Sequence, residues 1–304
     1  MIVAGSSGYI GTALVDALRR DGHEVVRLVR RAPAGPDEVR WHPHAGELDK
    51  GCLSGVDVAV NLAGAGVGDK RWTAAYKREI VASRVEPTAT LAHALAAAGG
   101  GPGTLLNASA IGFYGNRGSE VLDESAPAGD GYFPDVCRAW EAATRTAEDA
   151  GVRVCHLRTG LVVGPGGGLL KRMVPLFRAG LGGRLGSGRQ YQSWISLADT
   201  VGAIRFLAGR ADIAGPVNLT APEPVTNAEL TRALAEALHR PAVLPAPGFG
   251  LRMVLGEFAG NVTDSTRVVP GVLTGAGYRY EHPKISIALQ WSLDRPIKAD
   301  NADR

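Results

Sequence analysis

The chain has 304 residues, 45% of them hydrophobic and 21% charged, with a formal net charge of +3. That length holds one large domain or a domain with a smaller lobe, and the composition is that of an ordinary soluble globular protein. The positive excess is spread along the chain, which excludes a basic nucleic-acid-binding block and leaves only a mild attraction for phosphorylated ligands. The three cysteines, Cys52, Cys137 and Cys155, have neither paired spacing nor a zinc pattern, so a reduced, cytoplasmic setting is expected. No apolar run is long enough to span a bilayer, and the chain starts on a strand-like run with no charged-then-apolar leader. The expected partner is a small-molecule substrate, with no nucleic acid and no membrane. The oligomeric state stays open, a homodimer among the candidates.

Met1 to Ala4 is a short apolar run, followed at once by Gly5-Ser6-Ser7-Gly8-Tyr9-Ile10-Gly11 and an amphipathic stretch from Thr12 to Arg20. This reads as strand, glycine turn, helix. Gly5 allows the tight turn, Gly8 lets a pyrophosphate approach the backbone, and Gly11 lets the helix lie close on the sheet. Free amides at such a helix start, with the helix dipole behind them, bind an anion without a basic side chain. His23 to Val29 reads as the second strand. The residues just past it meet the adenosine ribose in a dinucleotide fold, where an acid favours NAD and an arginine accommodates a 2′-phosphate. Here stand Arg30 and Arg31, with no acid until Asp37. The expectation is NADP, with Arg31 or Arg30 pairing the phosphate.

Val39 to Trp41 reads as a short third strand. His42 and His44 flank Pro43, but no third ligand is in view, so they read as loop histidines and no metal is expected. Val56 to Gly64 is a buried strand whose small-residue end should face the cofactor. A long helix runs from about Thr73 to Ala98, and Pro87 predicts a kink or break near Glu86. After the loop at 99–103, the strand Thr104 to Ser109 leads into Ala110-Ile111-Gly112-Phe113-Tyr114-Gly115, a polar, glycine-bearing strand end where chemistry tends to sit. The next helix starts near Tyr132 or Phe133 and continues through Cys137, Trp140 and Glu141 to about Ala150. Val152 to Thr159 is the sixth strand. Such alternation implies an α/β fold, a doubly wound parallel sheet covered on both faces.

The pattern loosens after Val163. Gly164 to Gly168 opens a helix from Leu169 to Ala179, and the glycine-rich loop from Gly182 to Gln190, with Arg184 and Arg189, either covers a ligand or is a mobile surface loop. Gln192 to Ser196 returns as an extended segment, and Asp199 begins another helix. Val217 to Thr220 is a late strand, and Thr226 caps a helix reaching Leu238, with Glu229 at the capping-box position. From Pro245 lies a tail with helical stretches near Leu251–Ala259 and Ile285–Leu293. The expected division is a cofactor domain over 1–240, with lobe segments from about 164, and a small C-terminal domain over 245–295.

Taken jointly, these motifs resemble the extended short-chain dehydrogenase/reductases, and among them an atypical, epimerase-like subfamily usually labelled NAD-dependent or sugar-nucleotide epimerases. The resemblance rests on Gly5-x-x-Gly8-x-x-Gly11, Asn61-Leu62-Ala63-Gly64, Arg71-Trp72-Thr73 with Ser83-Arg84, Ser109 through Gly115, and Cys137-x-x-Trp140-Glu141. It continues through Gly182-Gly183 and Gly186-Ser187-Gly188 to Ser193-Trp194-Ile195 and Asn218 through Pro222, and covers nearly the whole chain. It implies a Rossmann sheet binding NADP, with substrate between that sheet and a smaller C-terminal lobe. Cofactor contacts would fall on Gly5, Ser7, Gly8, Tyr9, Ile10 and Gly11, on Arg30 and Arg31, on Leu62, Ala63 and Gly64, and on Val162 beside the nicotinamide. Glu79 and Arg84 join them on the resemblance alone.

Working short-chain reductases use a Tyr-x-x-x-Lys pair, the lysine lowering the tyrosine pKa while a serine orients the substrate oxygen. Ser109 falls where the serine is expected. Counting back in fours from Glu141 places Cys137 at the lysine position and Phe133 at the tyrosine position, and neither can do that work. The proton donor is then drawn from Ser109, Tyr114, Tyr132 or a water. Two functions stand: an NADP-dependent oxidoreductase or epimerase-like enzyme acting on a small carbonyl, hydroxyl or sugar-nucleotide-like compound, and an NADP-binding protein without turnover, as a sensor or assembly partner. A hydrolase is disfavoured because no G-x-S-x-G elbow occurs.

Overall fold

The computed structural model describes residues 1–98, 101, 103–242, 260 and 263–295. In chain order the elements are β1 (Ile2–Ala4), α1 (Tyr9–Arg20), β2 (Val26–Val29), β3 (Glu38–Arg40), β4 (Val58–Asn61), α2 (Ala74–Ala96), β5 (Thr104–Ala110), β6 (Val121–Leu122), α3 (Tyr132–Ala142), α4 (Arg145–Asp149) and β7 (Arg153–Thr159). They continue with β8 (Leu161–Val163), α5 (Leu170–Arg178), β9 (Tyr191–Gln192), β10 (Trp194–Ser196), α6 (Leu197–Ala208), β11 (Gly215–Leu219), β12 (Val225–Thr226) and α7 (Asn227–Leu238). The tail contributes β13 (Arg267–Val268), α8 (Gly271–Gly275) and α9 (Ile285–Asp294).

Seven strands form one sheet in the order β3-β2-β1-β4-β5-β7-β11, every neighbouring pair parallel. Side chains alternate between the faces of a strand, so each short apolar strand here supplies two cores. Val3, Val58, Val60, Leu106 and Leu157 pack with Leu14 and Leu18 of α1 and Val201 and Ile204 of α6. Their neighbours Ile2, Ala4, Ala59, Leu105 and Val154 pack with Leu91 and Leu95 of α2 and Ala147 of α4. This is the doubly wound α/β sheet that the alternating elements imply. The order reverses at β1, which lies between β2 and β4, and that reversal opens a crevice at the carboxyl ends of the two central strands.

Of the kink or break expected in one helix there is no break, and a second helix differs from expectation. α2 runs unbroken through Pro87, although a proline removes one backbone donor. The Thr88 and Thr90 hydroxyls donate back to the carbonyls of Arg84 and Glu86, both at 2.8 Å, adding bonds around the proline turn. In contrast, the expected helix from Tyr132 to Ala150 divides into α3 and α4. The buried Thr144 donates its hydroxyl to the Glu141 carbonyl at 2.7 Å, a side-chain bond that competes with continuation of the helix. The capping box at α7 is present, with Thr226 and Glu229 bonded reciprocally.

The tail is stitched into the body. β13 pairs with β6, and the Ser193 hydroxyl lies 3.0 Å from both the Thr266 and the Val268 carbonyl, with one proton to share between them, while accepting from the Val268 amide (2.7 Å). Leu273 of α8 belongs to the main core, and Ala288 and Leu289 of α9 pack on Leu230 and Leu234 of α7. The expected helical stretch at 251–259 lies outside the described residues. No helix among the described residues is long and apolar enough to cross a membrane.

Candidate functional site

The first turn after β1 is shaped by its glycines. Gly5 has φ +75°, and a Cβ there would come within 2.6 Å of the Leu62 carbonyl carbon. A Cβ on Gly11 would run into the Gly5 carbonyl oxygen, so α1 lies as close to the turn as a backbone allows. Gly8 is exposed, and it caps α1 with extended backbone. Ser7 is exposed beside it. Among the described residues no side chain caps α1, and its first turn carries no acid. The leading amides and the positive end of the dipole are therefore left for an anion.

The loop after β4 borders this turn. The Leu62 amide donates to the Ala4 carbonyl (2.9 Å), the Ala63 amide to the Asn61 side-chain oxygen (3.1 Å), and the Ala65 amide to Ser83 Oγ (3.0 Å). Arg84 closes its far side. Its guanidinium donates to the carbonyls of Ala65 (2.9 Å) and Ile80 (3.0 Å), lies over the Trp140 ring at 5.0 Å, and leaves a Cβ on Gly64 only 3.4 Å away. Glu79 is elsewhere: it is exposed and ion-paired with Lys70 at 3.1 Å. On the opposite side Tyr9 donates its hydroxyl to the Pro165 carbonyl (3.2 Å), and a Cβ on Gly167 or Gly164 would collide with its ring or hydroxyl. Val162 sits in β8 against Ile195, its carbonyl accepting from the Leu169 amide at 3.1 Å. The structure thus groups Gly5, Gly8, Tyr9, Ile10 and Gly11 with Leu62, Ala63, Gly64 and Arg84 at one crevice. Arg30 and Arg31 follow the end of β2, both exposed.

At the other end of the crevice the three candidate proton donors are already engaged. Ser109 shares its strand face with Leu105 and Asn107, so it turns toward α3. There it is buried and donates to Glu141 Oε1 at 2.7 Å. The Ser109 hydroxyl expected to orient a substrate oxygen is thus engaged here, its one proton lying on a carboxylate. Glu141 in turn takes a two-pronged grip from Arg158, both bonds 2.9 Å, and Arg158 also donates to the Tyr114 hydroxyl at 3.1 Å. Tyr114 is fully buried and donates to Asn218 Oδ1 at 2.8 Å, so it braces the interior. Tyr132 donates to the Lys77 carbonyl at 2.8 Å and borders a groove of about 450 Å³ with Lys77, Val81 and Val85 on the outer side of α2. Burial pushes the Tyr114 and Tyr132 hydroxyls above the ordinary tyrosine range, the opposite of what a tyrosine acid-base requires.

Phe133 and Cys137, at the positions of the usual tyrosine and lysine, pack on the loop after β5. A Cβ on Gly112 would lie 3.2 Å from Phe133 and 3.9 Å from Cys137 Sγ. Phe133 meets Trp72 edge-on, ring centres 5.3 Å apart. Burial pushes the Cys137 thiol up to about 12, so it stays neutral at physiological pH. The Glu141–Arg158 pair joins residues from α3 and β7 that no spacing in the sequence links. Its signal in the sequence is Arg158 directly beside the apolar Leu157, near Val154 and Cys155 of β7, since a charge at a core position demands a partner.

The chain matches the family model "NAD dependent epimerase/dehydratase family" over residues 1–220 and "Domain of unknown function (DUF1731)" over residues 246–292. It is 48% identical over 295 residues to an epimerase family protein of Mycobacterium bovis, covering 97% of each chain. Among solved structures it is similar to human epimerase family protein SDR39U1, crystallised with NADPH, at TM-score 0.89 and 33% identity over 96% of this chain and 98% of that one. It is also similar to a nucleoside-diphosphate sugar epimerase from Corynebacterium glutamicum, at TM-score 0.80 and 35% identity over 98% of this chain and 59% of that one.

Proposed function

Because the chain belongs to the NAD dependent epimerase/dehydratase family, we propose that it binds NADPH across the crevice at the carboxyl ends of β1 and β4. The observation that carries this is the uncapped start of α1 beside a turn built from Gly5, Gly8 and Gly11, with Arg30 and Arg31 waiting past β2. The diphosphate would rest on the α1 amides and the 2′-phosphate on the arginines. The NADPH in the human relative's crystal structure supports the same choice. When bound, the cofactor supplies a hydride; the chain's part is to hold it, to shield it, and to place a proton donor near it.

That last part is where this chain departs from working reductases. With Ser109, Tyr114 and Tyr132 engaged and Phe133 and Cys137 unable to serve, the reading best supported is an NADPH-holding protein without tyrosine-driven turnover. Oxidoreductase activity on a small carbonyl, hydroxyl or sugar-nucleotide-like compound is the second reading. Exposed Arg184 and Arg189 on the loop before β9 favour it, and a water would then deliver the proton. Calorimetry on cofactor-free protein tests the first step: heat is expected with NADPH, and none with either coenzyme would defeat the proposal. Arg31→Glu should weaken NADPH roughly tenfold or more beyond any effect on NADH, the scale of one charge-assisted contact. Deuterium-labelled NADPH with a panel of carbonyl compounds and sugar nucleotides separates the readings, since label in any product restores turnover to first place.

A further inference from the structure

We propose that Glu38, at the start of β3, is a positioning residue for the 2′-phosphate of the cofactor: it holds the Arg31 guanidinium by one edge and leaves the other edge open. The inference rests on the NADPH reading above and adds to it the residue that sets the discrimination.

A guanidinium has five N–H donors. In Arg31, Nη1 donates to Glu38 Oε2 and Nη2 to Glu38 Oε1, both at 2.7 Å, and Nη1 also donates to the Ala32 carbonyl at 2.8 Å. Three donors are thereby engaged. The two that remain, on Nε and Nη2, lie side by side along one edge, and among the described residues they have no partner. Two parallel N–H groups are the fork that suits a phosphate. The side chain of Arg31 is 57% exposed while that of Glu38 is wholly buried, so the carboxylate is the fixed member of the pair. It is pinned further by the Ala34 amide at 2.6 Å and by Arg27 at 2.9 Å, and Arg27 is itself bonded to Asp37 at 2.9 Å. A side chain held by that many partners does not swing aside. Carboxylate and phosphate therefore use different edges of one guanidinium and do not compete. The Arg31 and Ala34 hydrogen bonds hold the Glu38 carboxyl down at about 2, so it remains charged wherever the phosphate is. Arg30, exposed and without an ion-pair partner among the described residues, adds a second positive charge beside the fork.

The test is calorimetry on the full chain with two probes that differ in one phosphate, 2′,5′-ADP and 5′-ADP. The wild type should favour 2′,5′-ADP about 10- to 100-fold, the scale of a charge-assisted pair. Glu38→Gln should cut that ratio about tenfold while 5′-ADP affinity stays within about twofold, a split that general unfolding would not produce. Arg31→Lys, which keeps the charge on an exposed side chain but loses the fork, should cut it similarly and serves alone if Glu38→Gln fails to fold. A wild-type ratio near one would remove the phosphate reading itself. A wild type that discriminates, with Glu38→Gln at the same or a higher ratio, would overturn this inference alone; so would Arg31→Lys at the wild-type ratio.

Discussion

The two ends of the crevice are built on opposite plans. Around Gly5, Gly8 and Gly11 the Gly8 amide turns back to the Gly5 carbonyl (3.0 Å), the first amides of α1 have no side-chain cap among the described residues, and past β2 two arginines offer exposed donors. Around Ser109, Glu141, Arg158 and Tyr114 every donor named is taken by a buried neighbour, down to Asn218. An open set of donors receives a ligand, and a closed set holds the fold. The open end is the one proposed to hold the dinucleotide phosphate. At the end where chemistry is ordinarily done, the chain has turned the polar groups inward.

The comparison is broken most directly at Glu141. If the closed set is structural, Glu141→Gln leaves Arg158 as a poorly compensated buried charge and costs about 3–5 kcal/mol, read from denaturant unfolding, with NADPH affinity retained by the folded fraction. A fully stable variant would move Glu141 out of the structural set and into the chemistry. A smaller effect is expected at Tyr132, whose hydroxyl serves only the Lys77 carbonyl among the described residues. Tyr132→Phe should lose about 1 kcal/mol of stability and leave any label transfer from NADPH unchanged; abolished transfer in a stable protein would return the acid role to this tyrosine. The gentlest probe is acid. Glu38 has its carboxyl lowered from 4.5 to about 2 in the folded chain. The stability this supplies is fully present above about pH 4.5 and is lost as the pH falls through about 2. The difference in stability between wild type and Glu38→Gln should therefore shrink over that interval, and a difference constant from pH 6 to pH 2 would contradict the assignment.

The open end was readable in the amino-acid order because its signals are local. Three glycines between an apolar run and an amphipathic stretch, and two arginines after the second strand, need no knowledge of distant residues. The closed end was not. Whether Ser109 faces cofactor or helix depends on one step of strand parity, and that step is decided by which residues of β5 meet α2 and α3. The division of α3 from α4 hung on one threonine hydroxyl bonding back to a carbonyl. The two-residue strands β6, β9, β12 and β13 are too short to show any periodicity, and they exist because a distant segment supplies each partner, β13 for β6 and β12 for β9. Thr226 and Glu229, by comparison, announce their capping box within four residues.

The stitching at Ser193 also bears on how the molecule is made. Its hydroxyl waits for Thr266 and Val268, and the main core waits for Leu273. A chain that has emerged only as far as Leu238 has all seven strands of the large sheet but lacks Leu273, whose helix packs beside the edge strand β11. Completion of the interior is thereby deferred until the segment carrying Leu273 follows, and until then apolar surface beside β11 stays uncovered.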